Sequence, residues 1–249
     1  MLLPAMLCTV WQMREAFTSG ARTFLVAVIA LGAMGCLYWS GSKGGWLLMI
    51  VLGLVAMLRL PLARHLRLTL ITVVLAMGLA GFFFKYAAFF KKGATSVGAR
   101  FDYWRAAAQI AREHPLLGTG PGTFFIPYLK IKEPKSEPAR LVHNDYLEQA
   151  SDSGVIGAAA YLAFIGAGLV WSGRRIGRMR KKPAGTSAQP TDNREKTGGT
   201  DEWEVFAVWL GLLGWSLQGL FEFGLYIPAL AWPAFAFLGW LLGRGSTDM

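Results

Sequence analysis

Residue types that build disulfide frameworks and metal sites are scarce in this chain. Its 249 residues include two cysteines and three histidines. Cys8 and Cys36 lie in apolar stretches, and they form neither a disulfide framework nor a metal-binding spacing. Histidine, cysteine and carboxylate residues do not cluster at metal-ligand spacing in the sequence. We therefore expect neither a metal nor any other cofactor.

Charged residues are also scarce, at 16% of the chain, whereas 54% of the residues are hydrophobic. Together with a mean hydropathy of +0.40, this composition predicts an all-α polytopic membrane protein. A helix needs about 20 apolar residues to cross roughly 30 Å of hydrocarbon. The predicted transmembrane segments are residues 23–39, 46–60, 68–84, 154–171, 205–221 and 228–242.

Acidic residues are outnumbered, since 25 lysines and arginines stand against 15 aspartates and glutamates, giving a net charge of +10. If the spans alternate in direction, the basic residues of the short connections fall on one side, which is then the cytoplasm. The segment 85–153 then lies outside. Its basic residues do not contradict this orientation, because loops longer than about 60 residues translocate largely regardless of charge. No basic groove interleaved with aromatic residues occurs in the sequence, so we expect membrane lipid and not nucleic acid as a partner.

The chain is thus predicted to have three parts. Residues 1–84 form an N-terminal membrane part, 85–153 an extracytoplasmic loop, and 154–249 a C-terminal membrane part, with three spans in each membrane part. A basic cytoplasmic linker at about 172–203 separates the fourth span from the fifth. The apolar start, residues 1–13, lacks the basic region of a signal peptide and is interpreted as the end of a span whose beginning is missing.

Three features of the predicted loop bear on function. Residues 99–113 have the spacing of an amphipathic helix, ended by Pro115, which would lie on the membrane with its aromatic side down. The turn GTGPG, 118–122, is either a phosphate cradle or a structural turn, and its proline, which removes a backbone donor, favours the structural turn. Residues 124–140 are rich in proline, lysine and glutamate, which is typical of a surface excursion or a mobile lid.

His143 follows this excursion and precedes residues that favour a helix start. Asn144 and Asp145 are good N-cap residues, and Asp145 with Glu148 forms a capping-box pattern. At a helix N-terminus an anionic ligand is favoured and an imidazole stays neutral, which suits a general base. The alternative is a surface histidine without a catalytic role.

Two further charged residues are candidates for the same site. Lys43 is either an interfacial lysine that extends to the headgroups or an anion contact. Glu222, at the outer end of the fifth predicted span, is either an interfacial acid or a site residue. The predicted topology places four residues on the outer side: Lys43, Arg100, His143 and Glu222. These groups suit transfer from a lipid diphosphate, because cations bind the diphosphate and a histidine takes the proton of the attacking hydroxyl.

The runs ARFDYWRAAAQIAREHPLLGTGPGTF, 99–124, and LVHNDYLEQASDSGVIG, 141–157, resemble the O-antigen ligase and polymerase family. Members of that family carry an arginine and a tryptophan before a PLLGxGxGxF turn. A histidine follows, then Asn, Ser or Gln, nine residues and GxxG. The segments SGSKGGWL and FEFGLYIPA are similar to two further family segments. Because family members usually have more spans, the resemblance implies the C-terminal catalytic half of such a protein.

The resemblance implies an inverting, metal-independent glycosyltransferase that uses an undecaprenyl-diphosphate-linked glycan at the outer face of the bacterial inner membrane. It also implies a saccharide or a lipid-linked saccharide as the acceptor. By motif position, Arg100 would contact the diphosphate and His143 would activate the acceptor hydroxyl, with Trp104 and Asn144 as accessory residues. Lys43 stands where the family usually has arginine, which keeps the charge without the bidentate geometry.

There are three alternatives to a transferase for the same sequence. The chain is alternatively a non-enzymatic or inactive membrane fragment of this family, or a component of a glycan export system. A solute transporter would show internal repeats and polar or broken helices at mid-membrane, and the sequence shows neither clearly.

Overall fold

The computed structural model describes residues 2–13, 15–91, 95–179 and 195–244. Within these ranges the chain forms α-helices, one short 3₁₀ helix and no strand, so the predicted all-α fold is confirmed. The helices are α1 (Leu2–Gln12), α2 (Ser19–Ser40), α3 (Lys43–Arg59), α4 (Arg64–Lys91), α5 (Thr95–Glu113), α6 (Phe125–Ile131), α7 (Asp145–Met179), α8 (Glu195–Gln218) and α9 (Pro228–Gly243), with the 3₁₀ helix at Gly224–Tyr226.

Each of the predicted membrane segments falls mainly within a helix, namely α2, α3, α4, α7, α8 or α9. Among the described residues, three helices are long and apolar enough to cross a membrane: Ser19–Ser40, Arg64–Phe89 and Asp145–Met179. Helices α1 and α9 are apolar but shorter. The protein is therefore an all-helical membrane protein, whereas the count of six spans and the large outer loop stay predictions.

The chain divides into two compact units. Unit 1 comprises Met1–Ser42, Ala167–Trp215 and Pro233–Met249, and unit 2 comprises Lys43–Gly166 and Ser216–Trp232. Unit 2 contains every candidate site residue. The predicted division at 84 and 153 stays a prediction. The predicted basic linker at about 172–203 is wrong at both ends, because residues 172–179 continue α7 and residues 195–203 begin α8, while residues 180–194 lie outside the described residues.

In unit 1, helix contacts join segments that are distant in sequence. The indole Nε1 of Trp209 on α8 donates to the carbonyl of Leu169 on α7 at 2.9 Å. Arg22 on α2 donates through Nη1 to the carbonyl of Trp11, the next-to-last residue of α1, at 2.8 Å. These side chain to backbone bonds connect neighbouring helices of an apolar bundle.

The core of unit 2 lies under α5 and α6. Helix α5 confirms the predicted amphipathic helix at 99–113, and it begins four residues earlier, at Thr95. The buried residues of α5 recur three, four and seven positions apart, which places them on one face of the helix. The buried cluster consists of Tyr103, Ala106, Ala107, Ile110, Phe124, Tyr128, Ala139 and Val142. Residues 99–142 therefore contribute to an apolar core of their own, which the predicted placement of this helix on the membrane did not include.

The proline-rich excursion at 124–140 contains α6 and is tied to α5. The hydroxyl of Tyr128 donates to the carbonyl of Glu137 at 2.7 Å. Lys132 Nζ donates to the carbonyl of Ser136 at 2.9 Å, and Ser136 Oγ donates to Asp102 Oδ2 at 3.0 Å. Burial, with smaller contributions from neighbouring groups, raises the pKa of Tyr128 to about 12, so this phenol keeps its proton and its donor role at neutral pH.

A sharp bend interrupts α7 at Gly154, where the backbone adopts φ 64° and ψ −169°. Residues 115–122 pack against the bend, and we call this contact the glycine clamp. Its backbone bonds run from Val155 N to Pro115 O at 2.7 Å and from Gly120 N to Asp152 O at 2.8 Å. A Cβ atom on Gly118 would overlap the backbone of Asp152, and one on Gly154 would overlap that of Leu116. Only glycine fits where the two backbones meet.

The glycine clamp settles the two interpretations of the GTGPG turn in favour of a structural role. Gly122 N donates to the carboxylate oxygen Oδ2 of Asp152 at 2.6 Å. Thr119 N donates to the carbonyl of Ser151 at 3.0 Å. Because the buried Asp152 carboxylate already accepts a hydrogen bond from the Gly122 N–H, this N–H is not available to bind a phosphate.

Candidate active site

His143 has an unusual backbone conformation at the start of α7. Its φ is 56°, and among the described residues it is the only non-glycine residue with a positive φ. Such left-handed conformations are uncommon outside glycine, although histidine adopts them more often than most residues, and they concentrate at functional sites. The turn at His143 separates the proline-rich excursion from the helix that follows.

The N-cap of α7 is Asn144, not Asp145 as the capping-box pattern predicted. Asn144 Oδ1 accepts hydrogen bonds from the backbone N–H groups of Tyr146 and Leu147, each at 3.0 Å. The predicted reciprocal bond is absent from this helix start, because Glu148 Oε2 accepts from Val142 N at 3.2 Å. Asp145 N donates instead to the carbonyl of Gly219 at 2.7 Å. Asn144 satisfies the first-turn donors, which leaves the Asp145 carboxylate available for another segment.

That segment is the connection between α8 and α9, which carries Glu222. Both carboxylate oxygens of Asp145 accept from Leu225 N, at 3.1 and 3.2 Å. Asn144 Nδ2 donates to the carbonyl of Leu220 at 2.9 Å. Tyr226 Oη donates to Asp152 Oδ2 and accepts from Gln149 Nε2, both at 3.0 Å.

The residues of α7 that hold this connection have a regular spacing. Asp145, Gln149 and Asp152 lie four and then three residues apart, which places them on one helix face. Asp145 and Asp152 are buried. Burial and the nearby carboxylates raise the pKa of Tyr226, so its hydroxyl is protonated and can donate to Asp152. Buried carboxylates that accept several hydrogen bonds fix the connection, and with it Glu222, against the start of α7.

Glu222 brings together the two main residues that the sequence predicted. Its Oε1 forms a salt bridge with Arg100 Nη2 at 2.7 Å. Its Oε2 lies 3.5 Å from His143 Nδ1, which is an electrostatic contact longer than a well-formed hydrogen bond. Arg100 Nε also donates to the carbonyl of Phe221 at 3.2 Å. We call Arg100, His143 and Glu222 the central triad; each of their side chains is about a third exposed or less, from 26% to 32%.

The electrostatics of the central triad keep Glu222 ionised. Burial alone would raise the pKa of this carboxyl, but the contacts with His143 and Arg100 outweigh burial and hold the pKa below its usual value. A carboxylate beside Nδ1 favours the proton on that nitrogen. In the neutral ring, Nε2 is then the nitrogen that can accept a proton.

Aromatic side chains surround the His143 ring. The ring of Tyr103 stacks against it at a centroid distance of 5.9 Å, and the ring of Phe223 meets it edge-on at 4.7 Å. Trp104 Nε1 donates to the backbone carbonyl of His143 through a long bond of 3.4 Å. Phe101, which is exposed, lies edge-on to Trp104 at 5.4 Å. These contacts hold the imidazole in a defined orientation on a partly apolar surface.

Lys43 is the first residue of α3 and lies over aromatic rings. Its Nζ is 3.9 Å from the ring centroid of Phe89 and 5.4 Å from that of Tyr86, which are cation–π distances. A Cβ atom on the next residue, Gly44, would overlap the ring of Phe221. The start of α3 therefore touches the same connection that supplies Glu222 to the central triad.

Sequence reasoning identified the charged residues of the site but missed the residues that position them. The structure brings Arg100, His143 and Glu222 together. Trp104 contacts the backbone carbonyl of His143, and Asn144 caps the helix that follows it. The Lys43 ammonium lies over aromatic rings. The missed residues are Tyr103, Phe223, Asp145, Gln149, Asp152 and Tyr226. The spacing of polar residues along one face of α7 was the available signal for three of them.

Within the described residues, no group of three or more histidine, cysteine, aspartate or glutamate side chains is placed to hold a metal ion. The sequence model of the O-antigen ligase family matches residues 24–162, which is more than half of the chain. This match covers Lys43, Arg100, Trp104, His143 and Asn144, while Glu222 lies beyond it. No curated protein matches the chain.

Proposed function

Because the chain belongs to the O-antigen ligase family, we propose that it transfers a glycan from an undecaprenyl-diphosphate-linked donor to a saccharide or lipid-linked saccharide acceptor. The reaction takes place on the outer face of the bacterial inner membrane. The observation that supports this proposal most directly is the central triad, in which Glu222 contacts both Arg100 and His143. A guanidinium beside a positioned imidazole supplies both an anion contact and a base.

His143 is the general base of the proposed reaction. Nε2 takes the proton of the acceptor hydroxyl as that oxygen bonds to the anomeric carbon of the donor sugar. The bond from this carbon to the diphosphate oxygen breaks, and the lipid diphosphate leaves as an anion. Glu222 stabilises the imidazolium that forms, because its carboxylate lies 3.5 Å from Nδ1. A positioned base of this kind contributes roughly 10²- to 10⁴-fold to the rate.

Arg100 stabilises the leaving diphosphate. Its Nε and Nη2 are engaged by the Phe221 carbonyl and the Glu222 carboxylate, which fixes the plane of the guanidinium. Nη1 makes only a long contact of 3.4 Å with the carbonyl of Ser96, so its N–H groups are the donors of Arg100 that are best placed to bind a phosphate oxygen. Positive charge held in place before the reaction stabilises negative charge that develops in the transition state. Lys43 adds a second cation for the diphosphate when its side chain leaves the aromatic rings.

The proposed transfer is metal-independent, uses no cofactor and inverts the anomeric configuration. Glu222 is ion-paired with Arg100 at 2.7 Å, which suits a carboxylate that orients and stabilises and not one that attacks the sugar. The acceptor oxygen then displaces the diphosphate in one step, and a single displacement inverts the anomeric carbon. Arg100 supplies the charge that a divalent cation provides in many phosphate-binding sites.

The test is a transfer assay in proteoliposomes with a defined lipid-linked oligosaccharide, in the presence of EDTA. We expect the wild-type chain to form the glycan product and release undecaprenyl diphosphate. His143→Asn should lower the rate roughly 10²-fold or more, and asparagine is the preferred substitution because it tolerates the left-handed backbone of this position. His114→Asn, at an exposed histidine in the same segment, is the matched control and should leave the rate unchanged.

Two results would contradict the proposal. Transfer that is unaffected by His143→Asn would exclude the base role of His143. Transfer that EDTA abolishes and a divalent cation restores would exclude metal independence.

A further inference from the structure

Two leucines at the tip of the glycine clamp are exposed although they are apolar. Leu116 is 64% exposed and Leu117 is 75% exposed. They follow Pro115, shortly after α5 ends at Glu113. Single exposed leucines are common on protein surfaces, so their exposure alone indicates nothing.

The clamp places these leucines beside the start of the apolar part of α7. Val155 N donates to the carbonyl of Pro115 at 2.7 Å, and Gly154 meets the backbone of Leu116 with no room for a side chain. Val155 and Ile156 are themselves 58% and 59% exposed. Four exposed apolar residues therefore lie close together in the fold, where two backbone segments are joined to each other.

This apolar patch continues along a helix that is long and apolar enough to cross a membrane. Leu162, seven residues after Val155 and thus on the same helix face, is also about half exposed. In a membrane helix such a face contacts lipid acyl chains, because exposing a large apolar surface to water is unfavourable. The patch and the helix face form one continuous apolar surface, so lipid hydrocarbon is the favourable surrounding for both.

We propose that Leu116 and Leu117 insert into the hydrocarbon of the leaflet next to Gly154 and anchor the segment that carries His143 to the bilayer. The occupant of the patch is lipid acyl chain. This inference rests on the membrane location of α7 and is independent of the proposed transferase activity.

The anchor also limits the distance of His143 from the membrane. The first part of α7, from Asp145 to the bend at Gly154, rises by about 1.5 Å per residue, so its two ends lie roughly 14 Å apart along the helix axis, and His143 lies two residues before its start. The glycine clamp joins this helix to the leucines through backbone bonds, which leaves little freedom between them. The leucines therefore limit how far His143 can lie from the hydrocarbon boundary, beyond which the headgroups and the diphosphate of a membrane lipid lie.

A depth measurement tests the proposal. The two cysteines are replaced, as Cys8→Ala and Cys36→Ser, and Leu117→Cys is labelled with the fluorophore NBD in proteoliposomes of phosphatidylethanolamine and phosphatidylglycerol. Because Leu117 is mostly exposed, the labelled side chain should leave the fold intact. Val155→Cys is the lipid-facing reference, and Lys135→Cys, at an exposed position of the same unit, is the aqueous reference.

We expect the label at position 117 to show blue-shifted emission and quenching by nitroxide on lipid acyl chains, as at position 155, with little quenching by iodide. Iodide quenching equal to that at position 135 would overturn the proposal. Protection from both quenchers would also overturn it, because a protein surface would then cover the tip. None of these outcomes depends on whether the chain transfers a glycan.

Discussion

At the scale of single residues, the site depends on a carboxylate shared between a cation and an imidazole. Glu222 is 122 positions from Arg100 in the sequence, and the two residues form a 2.7 Å salt bridge. No local sequence pattern predicts that they are paired. The predicted topology placed both residues on one side of the membrane, which is as far as a sequence argument reaches. Their contact depends on the hydrogen bonds that Asp145 and Asn144 make to residues 220 and 225.

The ionisation of Glu222 gives a prediction about acid stability. Its pKa lies below the usual value of 4.5, so the salt bridge with Arg100 is fully charged at neutral pH and is lost only as the pH falls through that lowered pKa. The carboxylate then contributes stability above about pH 4.5 and loses it below. We expect the unfolding midpoint of the wild-type protein to fall more steeply than that of Glu222→Gln as the pH drops below about 4.5.

Intrinsic tryptophan fluorescence in detergent at a series of pH values measures this difference. Glu133→Gln, at an exposed glutamate of the same unit, is the control and should follow the wild-type slope. Equal slopes for the wild type and Glu222→Gln would show that the carboxylate does not stabilise the folded state.

At the scale of elements, the sequence predicted helices well and their junctions less well. The amphipathic helix at 99–113 exists as α5 because its apolar positions follow the helical period, and Pro115 follows its end. The start of α7 was misplaced by one residue, because Asn144 and Asp145 are both good N-cap residues and only tertiary contacts distinguish them. Asp145 instead holds the backbone of Leu225, a partner 80 residues away.

The bend in α7 shows a different limit of sequence reasoning. Gly154 and Gly157 form the GxxG of the motif in the sequence, and the structure gives Gly154 a left-handed backbone against the GTGPG turn. Nothing in a single sequence indicates that a glycine is needed for its φ and not for its size. The two motifs of the resemblance, around Gly118 and Gly154, are therefore two halves of one packing contact.

The glycine clamp predicts the cost of adding one methyl group. Gly154→Ala should destabilise the protein by at least about 2 kcal/mol, since alanine both disfavours this backbone conformation and overlaps Leu116. Gly166→Ala is the matched control in the same helix, where a Cβ atom meets nothing within 4 Å, and should be neutral or stabilising. The measurement is the unfolding midpoint of each variant in detergent. An equal midpoint for both variants would contradict the clamp.

A further prediction concerns the hydrogen bonds of Tyr226, which join the 3₁₀ helix to α7. Tyr226→Phe removes the hydroxyl that donates to Asp152 and accepts from Gln149. Leaving buried polar groups without this partner should cost about 1–3 kcal/mol. The activity of the variant should fall as well, because the connection that holds Glu222 loosens. Tyr38→Phe in unit 1 is the control, at an exposed tyrosine, and an equal loss of stability there would make the Tyr226 effect non-specific.

At the scale of the whole molecule, composition predicted the class of protein and the sequence motifs predicted its family, which the family model confirms. A mean hydropathy of +0.40 and apolar helices are sufficient for a membrane protein. The number of transmembrane spans is harder to predict from the sequence, because helices such as α3 and α9 are short. Packing against neighbouring helices determines whether such a helix crosses the membrane. The basic residues of the connections carry the information on orientation.

The predicted orientation is testable by reporter fusion. A reporter that is active only outside the cytoplasm should be active when fused after Lys135 and inactive when fused after Lys182, a position outside the described residues. A cytoplasmic reporter should show the reverse pattern. If the reporter after Lys135 works inside the cell, the central triad faces the wrong side for an extracytoplasmic glycan donor.

The most direct test of the proposed reaction is the anomeric configuration of its product. With a lipid-linked donor of defined configuration, NMR of the product should show the opposite configuration at the transferred sugar, with one undecaprenyl diphosphate released per bond formed. Inversion follows from direct attack by an acceptor that His143 deprotonates while Glu222 stays paired with Arg100. A product that retains the donor configuration would contradict this mechanism, since retention would require a covalent intermediate on a nucleophile such as Glu222.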